Sequence, residues 1–224
     1  MRPKLFFDID GTYEQKSLLI SYFEALVKEG IFPQEIEDRR IEFKAMWASE
    51  EIHYDDYIGE VVRLFLFYIK FVYEVDALRV AKQVIEDPTL RYYKYVAALV
   101  GFAEYTHERI AISKSPGFLT RLWAEKAGFD LAMGTEYLVG EDGIFTGETV
   151  GYEKADVVKE HLSSLSPEAI AETIAVGDSA DDIMMLLAVA KPLAFNPDEK
   201  LLEAAVANGW PVWVERKSIL HIIN

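Results

Sequence analysis

From about residue 106 onward, short apolar runs alternate with amphipathic stretches, and this alternation restricts the fold more than any other feature of the chain. "RIAIS", "FDLAMG", "ETIAVGD", "PLAFN" and "PVWV" have the length and apolar character of strands. Between them, "GFLTRLWAEKAG", "EKADVVKEHLSSL", "DDIMMLLAVA" and "PDEKLLEAAVANG" carry helical spacing, and "EYLVGEDGIFTGE" reads as a hairpin turning at Glu141-Asp142-Gly143. Strands separated by helices need crossover connections, so the pattern predicts an α/β fold with a parallel sheet covered on both faces. The opening run "KLFF" supplies one further strand. Residues 14 to 105, by contrast, show only helical spacing, punctuated at Gly30 to Pro33 and at Asp87-Pro88. The reading is therefore a core formed by residues 1–13 and 106–224, with a helical block at 14–105 inserted between its first and second strands.

Composition excludes several functions. Hydrophobic residues make up 51% of the 224 and charged ones 27%, which fits a globular chain. A net charge of −15 argues against nucleic acid or an anionic membrane surface as partner. With no cysteine there is no disulfide, zinc thiolate or thiol catalysis. The N-terminal apolar run stops at Asp8, so no secretory signal is read, and the expected location is cytoplasmic. The most apolar segment, "VVRLFLFYIKFVY", is shorter than the roughly 20 residues a membrane span needs. Arg63 and Lys70 interrupt it and are expected to share a wet face with Glu60 and Glu74, so it reads as a core helix.

In open parallel sheets, ligands bind beyond the carboxyl ends of the strands. The first strand ends in Asp8-Ile9-Asp10-Gly11-Thr12, "RIAIS" ends in Ser113 followed by Lys114 and Ser115, and "TIAVG" runs into Asp178-Ser179-Ala180-Asp181-Asp182. Lys154 opens a helix shortly after Gly151. Each element alone has an ordinary explanation: a capped turn for the Asp pair, a cap for Ser113 or Asp178, a solvated helix position for Lys154. In this order, each at a strand end or helix start, they place carboxylates, a hydroxyl and an ammonium on one rim. Carboxylates at the mouth of a core repel and are costly to desolvate, so a positive partner is expected there.

The series Asp-x-Asp-Gly-Thr, apolar-apolar-Ser, Lys, Gly-Asp-Ser-x-x-Asp resembles the haloacid dehalogenase superfamily of phosphotransferases, and within it the phosphoserine-phosphatase-like branch. "SKSPG", "GIFTGE", "GDSADD" and "FNPDEKLLEAAVANGWPV" carry the likeness. The resemblance implies a Rossmann-like core with an inserted helical cap, here 14–105. It also implies a Mg2+-dependent phosphatase acting on small organic phosphomonoesters through an aspartyl phosphate. By the same resemblance Asp8 is the nucleophile and Asp10 the acid and base. Thr12, Ser113, Lys114 and Lys154 face the phosphoryl group or fix its loop, while Asp8, the Asp10 carbonyl, Asp178 and Asp182 are associated with the metal. The expected assembly is a monomer or homodimer. Lys114 stands where the branch has a small residue, and Ser17 stands where phosphoserine phosphatases carry a Glu for the substrate ammonium. The aromatics Phe65, Phe67, Tyr68, Phe71, Tyr73, Tyr92, Tyr93 and Tyr95 lie in the expected cap, chiefly as its core. If they lined a cavity they would favour an apolar leaving group. Transfer of the phosphoryl group to an alcohol and a non-catalytic phosphate-responsive module are the alternatives. A sugar-nucleotide transferase would leave Ser113, Lys154 and the Gly-Asp-Ser motif unexplained.

Overall fold

The structure, a computed structural model, describes residues 1–223, without the side chain of Asp55. The chain forms two compact units, one of Met1–Ser17, Pro88–Thr135 and Gly151–Asn224, the other of Leu18–Asp87 and Glu136–Val150.

In the first unit, β1 (Lys4–Phe7) lies at the centre, between β2 (Glu108–Pro116) and β5 (Ile174–Gly177). Beyond β2 comes the first half of β3 (Leu131–Val139); beyond β5 come β6 (Lys191–Phe195), β7 (Val212–Arg216) and β8 (Ile219–Ile223). All neighbours pair in parallel except β8, which returns antiparallel to β7. The strand order reverses direction between β1 and β5, which makes their carboxyl ends the switch point where ligands bind in such sheets.

Every side chain of β1 is buried, as a strand covered on both faces requires. Phe6 points into one core with Ile110, Ile112, Ala175 and Ala194. That core is covered by Val157 and Val158 of α7 (Lys154–Leu162), Met185 and Leu186 of α9 (Ile183–Leu187), and Leu201 and Ala205 of α10 (Glu199–Asn208). Its neighbour Phe7 points the other way, as strand alternation demands, into edge-on ring contacts with Tyr13 and Phe129, both 6.0 Å away. Trp123 of α6 (Gly117–Ala127) closes this second core. Truncating Phe6 to Ala would cost about 3 kcal/mol through the cavity left behind.

The second unit contains α1 (Leu18–Lys28), α2 (Gln34–Ala48), α3 (Tyr54–Ile69) and α4 (Glu74–Glu86), with a hairpin of the end of β3 and β4 (Phe145–Val150). Phe23, Phe32 and Phe65 stack edge-on in its core, and the buried Tyr22 hydroxyl donates to the Ala77 carbonyl at 2.9 Å.

The division differs from the 14–105 block read from the sequence in three places, the first being residues 14–17, which cluster with the sheet. Residues 88–105, including α5 (Lys94–Ala103), cluster with the sheet. The reason is a set of ties: Tyr93 N–H donates to the Tyr13 carbonyl, and the buried Glu215 carboxylate accepts the N–H groups of Lys94 and Tyr95. The hairpin clusters with the helices, because Tyr137 packs on Phe65 and the main chain of Gly143 and Phe145 bonds to Glu74 and Val72. Tyr92, Tyr93 and Tyr95 thus belong to the first unit.

The apolar run at 61–73 also behaves differently from its expected wet face. The helix ends at Ile69, so Glu74 opens the next helix, and Lys70 lies over the Phe67 ring at 4.2 Å while Arg63 pairs with Glu60 at 2.7 Å. Helix α8 (Pro167–Ile170) and strand β8 have no counterpart in the sequence reading, being too short and too near a turn to show a period. Among the described residues no helix is long and apolar enough to cross a membrane.

Candidate active site

Asp8 follows the last residue of β1, and its N–H donates to the Val176 carbonyl at 3.0 Å. Pairing with both β2 and β5 therefore fixes the carboxyl at the switch point. The chain then turns sharply: Tyr13 and Glu14 N–H both reach the Ile9 carbonyl, and Gly11 N–H reaches the Glu14 carbonyl. Gly11 sits at φ +88°, and a Cβ there would lie 2.1 Å from Asp178 Oδ2. No other residue fits both the backbone and the space.

Lys154, the first residue of α7, reaches across to Asp8 Oδ1 and Asp182 Oδ1, each at 2.6 Å. All three side chains are buried. Asp182 spends its other oxygen on the N–H groups of Asp178 and Ser179, at 3.0 and 3.2 Å. It thereby shapes the loop after β5 and steadies Lys154, and close packing against Gly177 leaves no room for a Cβ there. Asp178 accepts from the Thr12 hydroxyl at 3.0 Å. Of the two roles expected of Thr12, facing the phosphoryl group or fixing its loop, its hydroxyl takes a bond to Asp178.

Asp10 is held on another side. Its Oδ2 accepts from the hydroxyls of Ser113, at 2.9 Å, and Ser115, at 2.8 Å. Ser115 was not singled out as a site residue, although it stands two positions after Ser113 on the same strand and so points to the same face. Lys114, between them, points outward to an exposed pair with Asp181 at 2.5 Å. Asp198 was also missed. It caps α10, accepts from Ala180 N–H at 2.9 Å, and its own N–H donates to the Asp178 carbonyl, bracing the loop that carries Asp178.

The electrostatics of the cluster are unbalanced. Oxygens of Asp8, Asp178 and Asp182 all lie within 4.8 Å of one another, with Lys154 as the cation bonded among them. Burial raises the Asp8 carboxyl above its ordinary value, against the pull of Lys154, and Asp182 and Asp10 raise it further. Asp178 is raised by burial and then by Asp8 and Asp182. Burial alone would depress Lys154, but Asp182 and Asp8 outweigh it and hold the ammonium charged. Fully ionised, three carboxylates around one ammonium would leave an excess of two negative charges, which adds to the rise of the Asp8 and Asp178 carboxyls and matches a divalent cation. The donors are all oxygens, which suits a hard ion such as Mg2+.

Residues 5–187 match the family model of haloacid dehalogenase-like hydrolases. The chain belongs to this family, and it is a hydrolase. It is 28% identical over 221 residues to an inhibition of morphological differentiation protein from Streptomyces azureus, covering 94% of this chain and 78% of that one. It is 29% identical over 112 residues to a histidinol-phosphatase from Neisseria meningitidis, covering 47% of this chain and 50% of that protein. Its fold is similar to that of a phosphoserine phosphatase solved as a phospho-aspartyl intermediate analogue, with a TM-score of 0.63 at 16% identity, covering 91% of this chain and 90% of that chain.

Proposed function

We propose that this chain is a Mg2+-dependent phosphatase of small phosphomonoesters that works through a phosphorylated Asp8. The observation that carries this reading is the division of labour between two carboxyls two residues apart. Asp8 is locked to Lys154, whereas Asp10 is aimed by the hydroxyls of Ser113 and Ser115.

In the first step an oxygen of Asp8 attacks phosphorus and the ester P–O bond breaks, while Asp10 gives its proton to the leaving oxygen. In the second step Asp10 takes a proton from water, the water oxygen attacks phosphorus, and phosphate leaves as Asp8 is restored. Lys154 pulls Asp8 toward its ionised form and faces the developing charge, and Asp182 holds Lys154 in place. Asp8, Asp178 and the Asp10 carbonyl would hold the metal, with Asp182 steadying the loop behind them. The chemistry a bound cation supplies is relief of the repulsion between Asp8 and a phosphate dianion. The second unit, as the family's cap, is proposed to select the leaving group.

Ser17 cannot pair a substrate ammonium as a glutamate would, so phosphoserine is expected to be a poor substrate. Phosphate release from p-nitrophenyl phosphate and from phosphoserine, each with Mg2+ and with EDTA, tests the reading. The expected result is Mg2+-dependent release with a specificity constant at least about tenfold higher for the aromatic ester. Undiminished release in EDTA after dialysis contradicts the metal role; a higher constant for phosphoserine contradicts only the substrate preference.

A further inference from the structure

A second concavity, of about 540 Å3, opens in the first unit beside the β6–β7–β8 edge of the sheet. Its lining combines an apolar floor with donors that lack acceptors. Leu202 and Ile223 are 39% and 53% exposed on it, and the half-buried Val214 of β7 joins the lining. Tyr93 forms one wall, held by its ring against Phe195 at 5.1 Å.

The polar lining is one-sided. Asn196 accepts the Glu215 N–H at 2.8 Å through its carbonyl oxygen. Its amide nitrogen, shielded from water, is turned to the Tyr93 hydroxyl without a well-formed hydrogen bond. Arg216 and Lys217 enter no ion pair or side-chain hydrogen bond among the described residues, in a chain whose net charge is −15. Glu215, the acid in the same lining, is already spent on the N–H groups of Lys94 and Tyr95. Two exposed cations thus border the groove without a carboxylate partner among the described residues, while the Asn196 amide nitrogen stays behind them against Tyr93.

We propose that this groove binds a small molecule with a flat apolar body and a single carboxylate, a ligand separate from the substrate of the catalytic rim. The carboxylate answers Arg216 and Lys217 together, because it only accepts hydrogen bonds. The flat body covers Leu202 and Val214 against the Tyr93 ring, as in pockets that are mostly apolar with a few placed polar groups. The acidic field of the whole chain disfavours a dianion, so a monoanionic carboxylate is the better fit.

Calorimetric titration with 2-naphthoate, at low salt with Mg2+ present, tests the inference. The expected result is saturable binding to one site per chain. Binding should weaken at least about tenfold in Arg216→Gln/Lys217→Asn, and neutral 2-naphthalenemethanol should bind the unaltered protein at least about tenfold more weakly. Asn tolerates the left-handed backbone of Lys217, whose φ is +51°, so the turn is kept. Leu202→Glu, on the exposed face of α10, serves as a second variant should the first fail to fold, and it too should abolish binding. Asp8→Asn should bind 2-naphthoate as the unaltered protein does. No saturable binding, equal binding in the groove variants, or loss of binding in Asp8→Asn would each overturn the proposal.

Discussion

Each unit buries a cluster of charge, and the two clusters are built differently. In the helical unit, Arg40 is 4% exposed and all its nitrogens are engaged: Glu37 at 2.8 and 2.5 Å, Glu24 at 2.9 Å and the Tyr57 hydroxyl at 2.9 Å. Those bonds, led by Glu37, raise the guanidinium above its already high value despite burial. Its carboxylates keep partial access to water, so the cluster is complete as it stands. In the sheet unit, Asp8, Asp178 and Asp182 crowd a single ammonium, and burial pushes Asp8 and Asp178 up rather than down. One network ties α1, α2 and α3 together and leaves a single excess charge on carboxylates open to water; the other shuts its excess charge away from water and requires something positive. A buried ion cluster signals function when its excess charge is itself shut off from water, not merely because it holds buried charge.

The largest expected effect separates the clusters by chemistry. Asp8→Asn should lower phosphate release by about 10³-fold or more while leaving the fold intact, since the amide keeps the shape but is not a nucleophile. Arg40→Leu should leave turnover per folded molecule nearly unchanged. Residual activity of Asp8→Asn within tenfold of the unaltered protein would sink the mechanism.

Next is a difference in the sign of stability. Arg40→Leu should destabilise by about 2 kcal/mol, because it strands Glu37 and the Tyr57 hydroxyl. Asp178→Asn should do the reverse in EDTA and stabilise by about 1 kcal/mol, because it removes one of the repelling buried carboxyls. The same variant should raise the Mg2+ requirement of activity by about 10²-fold. Asp181→Asn should change neither, since Asp181 is 57% exposed and paired with Lys114 at the surface. Urea unfolding and Mg2+ titration of activity measure both; equal effects of Asp178 and Asp181 would erase the distinction.

The last effect concerns a carboxyl that belongs to neither cluster. Glu14 is 3% exposed, accepts from Trp123 Nε1 at 2.8 Å, and its other oxygen has no hydrogen-bond partner. Burial pushes it up from 4.5 to about 7, with the Trp123 bond and Lys126 opposing and Asp10 adding to the rise. Between those two values the folded chain binds more protons than the unfolded one. Stability from this group is therefore full below pH about 4.5 and is lost as pH rises through about 7, by on the order of 2 kcal/mol. Glu14→Gln keeps the Trp123 bond and should flatten that part of the stability profile between pH 5 and 8. A profile unchanged by the substitution would show that Glu14 does not titrate in this window.

Much of the sheet unit was legible because its information is local. A fully apolar run ending at Asp8, and Gly177-Asp178 closing another, place both carboxyls at strand ends without knowledge of the rest. What the sequence could not show was which partner each side chain chooses. Thr12 turns to Asp178, Ser115 joins Ser113 on Asp10, and Lys114 leaves the rim for Asp181, all choices made by residues distant in sequence. The unit boundary was illegible for the same reason. α5 has ordinary helical spacing, and only the Glu215 carboxylate, 120 and 121 positions later, ties its start to the sheet. Glu14 reads as a surface residue after a turn, and nothing local reveals that Trp123 covers it.

The central claim is that Asp8 carries the phosphoryl group while Asp10 moves the proton, and Asp10→Asn separates the two roles. With p-nitrophenyl phosphate, whose leaving group needs little protonation, the first step should survive and the second should stall. Acid-quenched Asp10→Asn enzyme, digested and analysed by mass spectrometry, should therefore show one phosphoryl group on the peptide containing Asp8, after a stoichiometric burst of p-nitrophenol. A phosphoryl group on another residue, or a burst with no adduct on that peptide, would contradict the account.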